Sequence, residues 1–172
     1  GDGIYSVQIP GKSSGTIVAF RVKTEDNHAS PETTWFPSQD IQKDALVRFG
    51  EPTPAGVLGT HMLWVSTTNA VEFGSNDPGG DQFYDTTLVY ENYRVIYNSG
   101  FRPRGNGAGG GIQAGKYACT VPDSERFLGN NEIKMDAPPR HNDGSLLEEY
   151  HAYWVASESG IASSHLRFIR TR

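Results

Sequence analysis

A run of glycines bounded by cations restricts this chain more than any other feature: YNSGFRPRGNGAGGGIQAGKY, residues 97 to 117. Ahead of it, YRVIYNSGFRPR alternates as a half-buried strand. The period of two predicts Tyr93, Val95, Tyr97 and Phe101 on one face and Arg94, Ile96, Arg102 and Arg104 on the other. Pro103 donates no ladder hydrogen bond, which implies an edge strand or a bulge. After the glycines, KYACTV alternates again, with Tyr117, Cys119 and Val121 toward the core and Lys116, Ala118 and Thr120 opposite. The segment therefore reads as a hairpin with a long glycine-rich connection. Glycine permits positive φ and close backbone approach, so such a connection can turn several N–H groups toward an anion, a phosphate group being the natural guest. The other reading is a solvated hairpin loop beside surface arginines.

Two nucleotide motifs fail on inspection. Gly105, Gly107 and Gly110 satisfy G-x-G-x-x-G, but a run this dense in glycine matches by composition, and no βαβ unit follows. Gly110 to Lys116 fits G-x-x-x-x-G-K, yet Tyr117 replaces the hydroxyl residue that would hold magnesium, and a strand follows where a helix is required.

Length and charge bound the rest. A chain of 172 residues has room for one good core or two small ones, and 36% hydrophobic content with 20 glycines and 10 prolines favours a loop-rich, strand-rich protein. Net charge is −5 with no basic stripe, which argues against a nucleic-acid partner, and no stretch reaches the length of a membrane span. The single Cys119 forms no internal disulfide and sits where a small buried hydrophobe belongs. The chain opens at Gly1 and closes in SHLRFIRTR, which reads as a strand, so a piece of a longer protein is expected.

In chain order, IYSVQIP and GTIVAFRVKTEDN read as strands, followed by a polar turn and a second apolar run at Thr33 to Phe36. These resemble the last strands of an immunoglobulin- or fibronectin type III-like domain; alternatively they form an N-terminal strand pair of one larger domain. Residues 38–59, rich in Pro and Gly around ALVRF, suit a linker. THMLWVSTT is a further strand, and NAVEFGSNDPGGDQFYD a polar loop whose aspartates read as a turn sooner than a calcium site, since no EF-hand spacing is present. TTLVY and YRVIY form a hairpin through Glu91 and Asn92, and NEIKMD carries Lys134 on another short strand. Ser145 to Ser159 is the main helix. Ser145 and Glu148 make a capping box, Leu146, Leu147, Tyr150, Tyr153, Trp154 and Ser157 mark its inner side, and Gly160 ends it. His28, His61, His141, His151 and His165 are scattered without metal-ligand spacing, and no serine occupies a G-x-S-x-G elbow.

RVIYNSGFRPRGN, then GKYACTVP, FLGNNEIKMD and SLLEEYHAYWVASESGIASSHLRFIR, together resemble the first half of the spore coat protein H (CotH) kinase family, over roughly residues 44 to 172. The resemblance implies an α+β fold: incomplete β-sandwich strands in 1–37, a linker in 38–59, and in 60–172 a truncated kinase-like N-lobe, an antiparallel sheet plus one main helix. It implies a secreted or cell-surface bacterial protein that uses ATP with magnesium to phosphorylate serines of a protein substrate. Carried over residue by residue, Arg102, Arg104, Gly105 and Asn106 match the family's R-x-x-G-N strand end, Lys116 its K-x-Y lysine and Glu149 its helix glutamate. In that scheme the lysine contacts the nucleotide phosphates and the glutamate fixes the lysine. Lys134 is the rival, because in ordinary kinases the lysine lies on the strand just before the helix.

This sequence departs from the family in its glycine loop, which lacks the Ser-rich, doubly basic run before K-x-Y. The family's magnesium-holding aspartates lie in its second half, beyond the matched region, so no metal ligand is assigned here and catalysis by this chain alone is not expected. The competing expectation is a noncatalytic extracellular adhesion or carbohydrate-binding β-module.

Overall fold

The computed structural model describes residues 3–38, 43–51, 58–75, 82–91, 94–104, 116–127, 129–136, 147–164 and 166–171, with the side chains of Gly74, Ser75 and Glu149 left aside. Among the described residues ten strands and two helices follow in the order β1 (Ile17–Phe20), β2 (Val22–Glu25), β3 (Thr33–Phe36), β4 (Ala45–Arg48), β5 (Gly59–Trp64), α1 (Thr67–Ser75), β6 (Tyr84–Tyr90), β7 (Arg94–Pro103), β8 (Tyr117–Thr120), β9 (Glu132–Met135), α2 (Leu147–Glu158) and β10 (Ile169–Thr171).

Six strands form one mixed sheet in the order β10-β5-β6-β7-β8-β9, in which β10 runs parallel to β5 and the other neighbours are antiparallel. This corrects the expected fold class. The chain is mostly β, its sheet is curled and mixed, and neither helix takes the place of a kinase N-lobe helix packed on an antiparallel sheet. The N-terminal strands form separate two-stranded ribbons: β1 pairs with β4, and β2 with β3. GTIVAFRVKTEDN is thus two strands parted at Arg21, whose guanidinium donates to the Ser38 carbonyl at 2.9 Å. IYSVQIP lies outside regular structure, with Ile4, Tyr5 and Val7 exposed.

The β6–β7 hairpin contains the feature that sets the faces of the sheet. Leu88 pairs with Ile96 but Thr86 pairs with Ser99, so Tyr97 and Asn98 together oppose Thr87 and form a bulge. The extra residue reverses the alternation. Ile96 and Phe101, expected on opposite faces, share one, while Arg94 and Ile96 part from Arg102 and Arg104.

The first face is apolar. Leu88, Tyr90, Ile96, Cys119, Val121, Phe127 and Met135 form one cluster, and Phe73 of α1 packs with Tyr84 and Phe101 in a second. Helix α1 lies in a stretch expected to be strand and loop; the Ser66 hydroxyl accepts the Asn69 N–H at 3.2 Å and caps it.

On the second face, β4 covers β6. The Leu46 N–H donates to Thr87 Oγ1 at 3.0 Å, and the Asp44 N–H to Asp85 Oδ2 at 2.9 Å. Tyr97, placed there by the bulge, meets Phe20 and Phe36 edge-on at centroid distances of 5.6 and 5.5 Å. The ribbons therefore dock on the six-stranded sheet, and β4, within the stretch read as a linker, is the strand that carries the contact.

Candidate basic face

Where the N-terminal ribbons stop covering the second face, cations take over. Register aligns Arg102, Ala118 and Lys134 across β7, β8 and β9. One step along, the Arg104 N–H donates to the Lys116 carbonyl at 2.9 Å, and Lys116 is followed across the ladder by Asp136. Side chains directly opposite in an antiparallel ladder share a face. Arg102, Arg104, Lys116 and Lys134 therefore rise from the same side of the sheet, at the end where β7 and β8 are joined through residues 105–115.

Each cation has its own setting. The Arg102 guanidinium stacks over Phe83, 5.3 Å from the ring centroid, and Phe83 in turn lies against Gly100, where an added Cβ would be 3.3 Å from Phe83 Cβ and 3.0 Å from Thr120 Oγ1. Glycine at 100 lets the aromatic platform sit down on the strand. Arg104 forms an ion pair with Asp136 at 2.6 Å. Lys134 lies 3.8 Å from Glu132, both largely exposed, and Lys116 is exposed between Arg104 and Asp136. Asp136 and Glu132 thus partly neutralise the cluster at Arg104 and Lys134.

Helix α2 makes only peripheral contact with the described strands, and Lys134 finds its carboxylate on β9 itself. Gly105 and Asn106 lie outside the described residues, as does the Glu149 side chain. The stripe expected on the inner side of the helix is largely turned out: Leu147, Tyr150, Trp154 and Ser157 are exposed, Tyr153 is half-buried, and Leu146 lies outside the described residues. Tyr150 meets Phe168 at a centroid distance of 5.4 Å.

The residues fit the two parts of the implied cofactor unequally. Four cations on one face suit phosphate oxygens. Magnesium needs several hard oxygen ligands converging, and among the described residues no three His, Cys, Asp or Glu side chains do so.

Phe83, Glu132 and Asp136 belong to this site and were not picked out from the sequence. Asp136 had a readable signal, since continuing the alternation of NEIKMD places it beside Lys134, whereas Phe83 sits in a glycine-rich stretch with no periodicity. No family model, no curated protein and no solved structure matches the chain. Among the described residues no helix is long and apolar enough to cross a membrane.

Proposed function

We propose that this protein binds a phosphate-bearing ligand on the basic face of its six-stranded sheet, with ATP the ligand implied by the CotH-like resemblance. The observation that carries the reading is the alignment of Arg102, Arg104, Lys116 and Lys134 on one side of three neighbouring strands. Antiparallel pairing holds the cation-bearing backbones about 5 Å apart, a spacing that lets neighbouring side chains meet successive phosphate oxygens. Arg102 would supply a planar fork already held on Phe83, and Lys116 a point charge free to follow the ligand. Bound nucleotide supplies a transferable γ-phosphoryl group, and these residues bind and orient its phosphates. Transfer to a protein serine, as in the secreted kinase family, calls for metal-holding carboxylates that lie outside the half of the family this chain resembles, so binding without turnover is the expected behaviour of this chain alone.

A noncatalytic adhesion or carbohydrate-binding module is the second reading. It is favoured by the outward aromatic stripe of α2, Tyr150 and Trp154, which offers rings to a sugar face or a partner surface. Calorimetric titration separates the two. ATP and tripolyphosphate should bind, and Lys116→Ala and Arg102→Ala should each weaken binding by about 2- to 5-fold, the equivalent of an exposed charge contact of about 0.5–1 kcal/mol. Binding of an oligosaccharide with no response to polyphosphate would favour the second.

A further inference from the structure

The opposite edge of the sheet holds a buried histidine in a setting that the basic face does not use. His61 of β5 is 2% exposed, and its Nδ1 is buried with no hydrogen-bond partner. Its ring packs against Tyr90, at a centroid distance of 4.9 Å, and Phe127, at 5.4 Å. Tyr90 also receives Arg167: the guanidinium lies 5.8 Å from the Tyr90 centroid and donates to the Tyr90 hydroxyl at 2.7 Å and to Glu91 Oε1 at 3.0 Å. Arg167 stands two residues before β10, the three-residue strand whose Thr171 is aligned with His61. One aromatic ring thus touches both the histidine and the arginine that ties the last strand down.

We propose that His61 and Arg167 form an acid-released latch: protonation of His61 sets an imidazolium beside the Arg167 guanidinium, and β10 with its preceding segment leaves the edge of β5. Burial, followed by the Arg167 charge, lowers the His61 pKa below its ordinary 6.5, with Glu91 acting the other way. Other charges near this end do not relieve the ring. On β7, Arg94 faces Tyr90 and adds a cation, its guanidinium held by the carbonyls of Glu125 and Arg126. Beside Phe127, Arg126 is paired with Asp123 at 3.2 Å, on exposed side chains. Arg170 of β10 alternates away from Thr171 and hence from His61.

The pH window follows from the sign. Well above pH 6.5 the imidazole is neutral whether the latch is closed or open, and nothing is lost. As pH falls below 6.5 the open form takes up the proton first, so closure weakens until pH passes the lowered value of the closed form. Opening is local because β10 is short, lies at an edge and pairs with β5 alone, whereas β6, β7 and β8 are paired on both sides. The exposed edge of β5, residues 59–61, is then available for another strand.

Native-state hydrogen exchange of the full chain, from pH 7.5 to 5.0, tests this after correction for intrinsic rates. Protection of residues 59–61 and 169–171 should fall by up to about tenfold per pH unit below 6.5, while Ile96 and Cys119 in the paired interior hold theirs. In His61→Phe, which keeps the ring packing, the acid response should vanish. Equal responses in both proteins, or a uniform fall across the whole sheet, would overturn the latch. The His61 Cε1–H resonance of the unmodified protein gives a test that does not depend on folding of the variant: it should titrate below 6.5, and further up in Arg167→Gln. A midpoint at or above 6.5, or one indifferent to Arg167, contradicts the proposal.

Discussion

Arg104 reaches across the strand that carries Lys116 to meet Asp136, Nη1 to Oδ2 at 2.6 Å. The pair bridges β7 to the edge strand β9 and neutralises one of the four cations of the basic face. Both side chains are about one-third exposed, so the pair is worth about 0.5–1 kcal/mol at most.

Asp136→Asn should therefore act oppositely on stability and on binding. It frees Arg104 for a ligand anion, and affinity for tripolyphosphate should rise by about 2- to 5-fold while stability falls by under about 1 kcal/mol. Paired calorimetric and urea titrations measure the two effects.

Docking of the N-terminal ribbons includes a buried hydrogen bond from the Leu46 N–H to Thr87 Oγ1. Leu46 and Thr87 are both fully enclosed. Thr87→Val keeps the shape and leaves that N–H without its acceptor, at a cost of about 1–3 kcal/mol. Urea denaturation should show the loss, and amide exchange should quicken first at residues 45–48.

Gly59 lies beneath the Arg167–Glu91 ion pair. A Cβ there would collide with Glu91 Oε1 and come within 3.0 Å of Arg167 Nη2. Gly59→Ala should loosen β10 and reduce protection of 169–171 at neutral pH, where His61 is uncharged, leaving the Tyr84–Phe101 end of the sheet unchanged.

Cys119 is enclosed in the first-face cluster, and burial pushes its thiol up to about 12 from 9.0. The native protein should resist iodoacetamide at pH 8, whereas the urea-unfolded chain reacts. A raised thiol pKa contributes stability that is complete below pH 9.0 and is lost as pH climbs from there toward about 12, because the unfolded chain ionises first. Cys119→Ala should remove that alkaline decline; equal declines in both proteins would contradict the assignment.

Local pattern carried part of this structure, and pairing carried the rest. The TTLVY–YRVIY hairpin and the core side of KYACTV follow from alternation within a dozen residues, and the helix at 147–158 lies inside the expected 145–159 although its expected inner stripe is largely exposed and its capping residue Ser145 lies outside the described residues. The bulge at Tyr97 and Asn98 does not, since the run alternates without a break and the extra residue exists only relative to Thr87 on the partner strand. That one residue moved Arg94 and Ile96 to the face opposite Arg102. Pairing of β1 with β4 and of β10 with β5 joins stretches far apart in the chain, which no local window contains. Helix α1 carries only one local mark, Ser66 as the cap of Asn69, and follows directly on an apolar strand run that hides its start. At the site, Arg102, Arg104 and Lys116 stand out by flanking the glycine run and Lys134 by its place on the strand before the helix, whereas Asp136 and Glu132, which temper two of them, carry no such mark.

Mapping a bound polyphosphate by amide chemical shifts is the most direct measurement of where this protein acts. Addition of ATP or tripolyphosphate should perturb Arg102, Arg104, Lys116, Ala118 and Lys134 together, leave Ile96 and Leu88 still, and lose its effect in an Arg102→Ala, Lys116→Ala double variant. Perturbations centred on α2, or none at millimolar ligand, would contradict the assignment of the basic face.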